Sequence, residues 1–116
     1  MSEYMVVIHT DREPEAIKAE CTLEKLQELV DGYIEIVNVK VKGNRLLMVI
    51  DEEGKLKDKP ENDRATMLYR ALFDVIVGEA VIVAQDGEDL RGLTVSETDD
   101  VMEYFDPLHV GKWFHV

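Results

Sequence analysis

Two apolar runs approach each other across a four-residue turn, and this pair constrains the fold more than any other stretch. "YIEIVNVKV" (33–41) is rich in β-branched residues, "KGNR" (42–45) follows, and "LLMVI" (46–50) returns. β-branched and aromatic side chains favour extended backbone. Gly43-Asn44 suits the positive backbone angles of a two-residue hairpin, so the runs are expected to pair antiparallel. "LLMVI" is apolar on both faces, which places it centrally in a sheet. The outgoing run is less regular. Ile34 and Ile36 share one face, whereas Val37, Val39 and Val41 share the other. Either a bulge near Asn38 or burial of both faces at different points would produce that shift.

The remaining elements follow from similar local signals. "YMVVIH" (4–9) reads as a strand ended by "TDREPE", and "AIKAEC" (16–21) alternates like its hairpin partner. Thr22 can cap a helix with Leu23, Leu26, Leu29 and Val30 on one face, without a capping box because Lys25 stands three residues on. Gly32 occupies the usual stop position. Beyond Pro60, the residues Ala65, Met67, Leu68, Ala71 and Leu72 predict a short helix. "DVIVGEAVIVAQ" (74–85) reads as the most hydrophobic strand, with Gly78 marking a bulge. Residues 86–93 read as turns. Thr94 and Glu97 form a capping box for a helix that turns Val101, Met102 and Phe105 inward and ends at Pro107.

The order β-β-α-β-β-α-β-α is α+β: one domain over residues 1–106, with a mixed or mostly antiparallel sheet of about five strands and two to three helices on one face. Residues 107–116 form an aromatic tail that either pairs as a last strand or docks elsewhere. Its Trp113 and Phe114 mark a packing edge or an oligomer contact, and a homo-oligomer is expected.

Charge narrows the partners. The chain of 116 residues carries a net charge of −12, unevenly spread. The balance is −5 over residues 1–31, −1 over 32–83 and −7 over 84–106, so eight of the thirteen bases lie in the central stretch. Such a surface opposes nucleic acid and anionic membranes, which need cations to displace counterions. No apolar run approaches the roughly eighteen residues of a membrane span. "MSEYMVVIHT" lacks the basic start and long apolar stretch of a signal peptide, and Cys21 is a lone cysteine. A cytoplasmic protein is expected. Cys21 reads as a small buried residue before it reads as a reactive thiol.

No familiar catalytic constellation stands out. His9, His109 and His115 are scattered, no H-x-x-x-H or C-x-x-C spacing exists, and no metal or cofactor is expected. The "DEEGKLKDKPENDRAT" stretch (51–66) places glycine fourth and lysines at alternating positions, which fails the calcium loop. With one glycine and no G-K-[ST], it fails the phosphate loop too. Lys55, Lys57, Lys59, Arg64 and Arg70 nevertheless cluster beside Asn62, ahead of a short helix, a pattern suited to an anion. On composition alone the stretch fits better a mobile, charge-balanced connection in which Asn62 or Asp63 caps the helix.

"GYIEIV" (32–37), "LLMVIDEEGKLKDKPENDRAT" (46–66), "DVIVGEAVIV" (74–83) and "DGEDLRGLT" (86–94) resemble a family of small, functionally uncharacterised domains. That family is common in phages, plasmids and other mobile elements of Gram-positive and gut bacteria. The resemblance runs from about residue 22 to 94. Its motif positions here are Gly32, Tyr33, Ile34 and Glu35, then Glu52, Glu53, Gly54 and Lys55, then Pro60, Asn62 and Ala65, then Asp74 and Gly78. Asp51 departs from the family's usual asparagine. The resemblance implies a genomic setting more than a reaction. Its polar positions, with Arg64, supply the candidate ligand-binding residues Tyr33, Glu35, Glu53, Lys55, Asn62 and Arg64.

Three functions are in view. The first is a non-enzymatic binding protein of a phage or mobile element, in counter-defence or host modulation, that sequesters a nucleotide-like anion. The second is an acidic protein-directed inhibitor or DNA mimic acting through residues 86–106, with Asp99, Asp100 and Glu103 foremost. The third is an enzyme with a carboxylate pair from Glu35, Glu52 or Glu53, aided by magnesium. Expectation rests on the first.

Overall fold

The hairpin anticipated above forms without a bulge. In the computed structural model, which describes residues 3–70 and 74–106, β3 (Ile34–Val41) and β4 (Asn44–Asp51) pair antiparallel from Ile34↔Asp51 to Val41↔Asn44. The turn residues are Lys42 and Gly43, at φ 49 and 85, one position earlier than Gly43-Asn44. Asn44 is thereby freed to donate its side-chain amide to Asp100. The mixed parity of β3 comes from burial on both faces: Val37, Val39 and Val41 pack to one side and Ile34 to the other.

β1 (Tyr4–Ile8) pairs with β2 (Glu15–Lys18), and β5 (Ala80–Asp86) runs between β1 and β4. The six-stranded sheet is antiparallel, in the order β2-β1-β5-β4-β3, with a short β6 (Asp89–Arg91) alongside the far end of β5. β6 corrects the reading of 86–93 as turns alone; Gly87, at φ 62, lies in the connection. The expected strand from 74 also starts later. Residues 74–79 run beside Pro60 and Asn62 with a single bridge, Glu61↔Val77, and β5 begins at Ala80.

Three helices complete the fold: α1 (Leu23–Val30), α2 (Asp63–Tyr69) and α3 (Val95–Phe105). Their caps are local and match the sequence. Thr22 accepts from Lys25 N–H, Asn62 from Ala65 N–H, and Thr94 with Glu97 completes the capping box. The helices do not share one face of the sheet. Val6, Ile8, Met48 and Ile82 face α2 and α3, through Ala65, Leu68 and Val101. Met5, Val7, Val49 and Val81 face Leu26 and Val30 of α1. Strands apolar on both sides need cover on both, since each buried Val, Leu or Ile contributes about 1.5–3 kcal/mol. Met67, one of the residues on which the helix was expected, is exposed, because so short a helix turns only Ala65 and Leu68 fully to the core.

Among the described residues no helix is long and apolar enough to cross a membrane. The tail with Trp113 and Phe114, the stop at Pro107, and the helical positions Ala71 and Leu72 lie outside the described residues.

Candidate functional site

At the end of β4 the chain places an acid in a buried position. Asp51 is 4% exposed. A carboxylate there needs partners, because burial of an unpaired charge is costly. The following loop brings them back. Backbone bonds from Gly54 N–H to Asp51 C=O, Lys57 N–H to Glu53 C=O and Lys59 N–H to Gly54 C=O wind residues 51–59 into a tight coil. Lys57 and Lys59 then donate to Asp51 at 2.8 and 2.7 Å, and Glu53 N–H donates at 2.9 Å. Burial pushes the Asp51 carboxyl up, but these donors outweigh it and hold its pKa at about 2.

The same two lysines reach α1. Lys57 donates to the Asp31 carbonyl, and Lys59 to those of Val30 and Asp31, at 2.7 to 3.1 Å. These are carbonyls that a helix end leaves without intrahelical partners, where cations also complement the dipole. The left-handed residue at this end is Asp31, at φ 56, and not Gly32. Gly32 has a different reason to be glycine. A Cβ there would stand within 2.7 Å of both Asp51 carboxylate oxygens. The basic loop thus ties α1, β3 and β4 together, and two of its lysines are committed to that role.

The sequence-derived candidates fall into three places. Tyr33, 67% exposed, and Glu53 line a shallow depression of about 220 Å³ with Gln27, Gly32 and Lys57. Glu35 and Lys55 line a separate cleft of about 130 Å³ with Glu52, Leu56, Asp74 and Val75. Lys55 is paired there with Asp74, an ion pair that raises the lysine and lowers the aspartate. Leu56, 85% exposed, stands at the rim. Asn62 and Arg64 line neither depression. Asn62 is 0% exposed; its amide donates to the carbonyls of Ile8 and Gly78 at 2.8 and 2.9 Å and accepts from Ala65 N–H. Both amide hydrogens and the oxygen are therefore taken. Arg64 donates to Glu13 and to the Arg12 carbonyl, holding the β1–β2 connection against α2.

Two clusters escaped the sequence reading. Buried His9 meets Glu79 through Nδ1 and Glu15 through Nε2, while Glu79 also accepts from Thr10 N–H. The trio pins the ends of the neighbouring strands β1 and β2 to the start of β5, with Glu79 seventy residues beyond His9. The second cluster lines a groove of about 540 Å³ beside β3, formed by Asn38, Val39, Lys40, Arg45, Leu68, Tyr69 and Arg70. Its charged residues are all bases. Among the described residues no three His, Cys, Asp or Glu side chains converge as a metal site would require.

The acids of 86–106 are largely engaged with neighbours. Glu97 forms a bidentate pair with Arg91, Glu103 meets Lys42, and Asp100 accepts from Asn44. The Arg91 guanidinium holds the Glu97 carboxyl below its ordinary range against the opposing pull of burial.

A family model described as a domain of unknown function (DUF3846) matches residues 1–106. No curated protein and no solved structure matches the chain.

Proposed function

Since the chain belongs to this DUF3846 family of domains of unknown function, its role has to be read from its own surface, and we propose that it is a small binding protein for an anionic, nucleotide-like molecule. It does not work as a catalyst. Room and charge together carry this reading. The groove beside β3, about 540 Å³, has the volume of a small-molecule site, and its charged lining residues Lys40, Arg45 and Arg70 are all cationic. In a chain of net charge −12, that convergence is against the odds of composition.

The other readings have less behind them. Glu35 and Glu52 do share a cleft, as a carboxylate pair would, but its volume of about 130 Å³ falls below that of ordinary ligand pockets. Lys55 beside them is already neutralised by Asp74. An inhibitor acting through residues 86–106 would have to give up the pairs of Glu97 with Arg91 and Glu103 with Lys42.

The setting belongs to the same proposal. The motifs resemble those of mobile-element proteins, and sequestering a signalling anion of the host is a task that needs affinity and no chemistry. It would act in the cytoplasm in counter-defence or host modulation. Exposed Tyr33, Ile36 and Val75 near the open edge of β3 support contact with a second copy. Native mass spectrometry of the protein isolated from infected or defence-active cells tests this. A bound anionic small molecule is expected. Protein that is always ligand-free, and gives no calorimetric heat with a nucleotide panel, sinks the reading.

A further inference from the structure

β3 and β4 set Lys40 and Arg45 directly opposite each other in register. Opposed residues of an antiparallel pair point to the same face with their Cβ atoms roughly 5 Å apart, and like charges there repel. Among the described residues neither side chain has an acidic partner, although the chain holds twenty-five acids. The neighbouring pairs show what this fold does elsewhere: Lys42 meets Glu103, and Arg91 meets Glu97. The Lys40–Arg45 pair is left unneutralised.

A third cation comes from a different element. Arg70, the left-handed cap of α2 at φ 57, lines the same groove along the β3 edge from the side of the sheet that α2 covers, whereas Lys40 and Arg45 alternate toward the opposite side and reach the groove around that edge strand. Its guanidinium lies 5.9 Å from the centre of the Tyr104 ring and donates to the Tyr104 hydroxyl at 3.4 Å. Stacking and a neutral acceptor orient that guanidinium without cancelling its charge. The Asn38 amide and the Tyr69 side chain complete the polar lining. Among the described residues β3 is the last strand of the sheet path and its outer side pairs with no other strand, so the N–H groups there, alternating with those that bond β4, add further donors.

We infer that Lys40, Arg45 and Arg70 form the binding site for an organic phosphate carrying two or more negative charges. This rests on the binding-protein reading and gives it a location and a ligand class. Three cations exceed what one carboxylate needs, whereas two guanidinium forks and an ammonium suit the spread oxygens of a di- or triphosphate. The volume leaves room for the organic part beside Tyr69. The site is distinct from the Lys55, Asn62 and Arg64 positions, whose side chains are held by Asp74, by backbone groups and by Glu13.

The test is calorimetric titration of the full chain with inorganic pyrophosphate, ADP and adenosine, at low and at high salt. Pyrophosphate and ADP should bind, more weakly at high salt, and adenosine should not. Lys40→Gln, Arg45→Gln and Arg70→Gln should each weaken binding by about tenfold or more. Lys25→Gln, the same charge change on α1, should alter it by less than about twofold. All four positions are at least partly exposed, and circular dichroism confirms that the variants fold. If Arg45→Gln and Arg70→Gln bind ADP like the wild type, the groove is not the site, while an anion-binding protein survives. If Lys25→Gln weakens binding as much as they do, general charge is responsible and the site is overturned. If the wild type binds neither pyrophosphate nor ADP, the site and the anionic ligand both fall.

Discussion

The carboxylate of Asp51 fills the space beside Gly32 that a side chain would occupy. Helix α1 and strand β4 approach so closely here that residue 32 can carry no Cβ without displacing Asp51, and with it Lys57 and Lys59. Overpacking of this kind costs about 1–3 kcal/mol. Gly32→Ala should therefore lower the urea midpoint by a corresponding amount, read by circular dichroism. An unchanged midpoint would show that the contact yields without cost.

The charge on Asp51 makes a prediction about acid. Burial raises its pKa, yet the bonds from Lys57, Lys59 and Glu53 N–H lower it further, to about 2 from an ordinary 3.8. A folded pKa below the unfolded one means stabilisation that is complete above about pH 4 and lost as pH falls through 2. Its size is on the order of 1–2 kcal/mol, allowing for solvent around the more exposed Lys57. Asp51→Asn keeps the shape beside Gly32 and removes the charge. Wild type and Asp51→Asn should differ in unfolding free energy at neutral pH and converge as pH approaches 2. Parallel curves across that range would rule out the ionised pair.

The two lysines should not be equivalent. Lys59 is 15% exposed and Lys57 40%, and Lys59 bonds two carbonyls of α1 to the one bonded by Lys57. Lys59→Met leaves buried acceptors short of a donor, at a cost of roughly 1–3 kcal/mol. Lys57→Met loses a half-exposed pair worth roughly 0.2–1 kcal/mol. Chemical denaturation of the two variants measures the difference; equal losses would mean that burial does not set the ranking.

What was legible in the sequence was what is encoded locally. Thr22, Thr94 with Glu97, and the run to either side of residues 42–45 each announce an element within a few residues. β6 was not legible, because "DLR" is too short to show an alternation. The single-residue misplacement of the turn had a larger consequence. A turn on Gly43-Asn44 would oppose Lys42 to Arg45, whereas the turn on Lys42-Gly43 opposes Lys40 to Arg45 and creates the unneutralised pair. The partners of the lysine loop were illegible for the opposite reason. Lys55, Lys57 and Lys59 looked like free cations because Asp74 and the carbonyls of Val30 and Asp31 lie nineteen or more residues away. Asn62 was recognised as a possible cap, but its bond to Ile8, fifty-four residues distant, depends on the finished sheet.

Asn62 separates a structural from a functional role. Asn62→Ala removes a cap and leaves the Ile8 and Gly78 carbonyls without their donor, a loss of about 3 kcal/mol. Asn62→Asp keeps an acceptor for Ala65 N–H but turns a carboxylate toward those two carbonyls. It should destabilise at least as much as the alanine variant, a ranking that capping alone would reverse. Thermal unfolding of the pair decides it.

Lys40 and Arg45 yield a prediction that needs no ligand. Their opposition is repulsive in the free protein, so Arg45→Glu converts a like-charge pair into an attractive one across the same rungs of β3 and β4. The gain should be roughly 0.2–1 kcal/mol, and it should shrink as salt screens the exposed charges. On the proposal that these cations hold an anion, the pair carries a stability cost that one substitution relieves while destroying affinity. Melting curves of wild type and Arg45→Glu at low and high salt read the effect directly. A variant no more stable than wild type at low salt would mean that the two cations already splay apart into solvent.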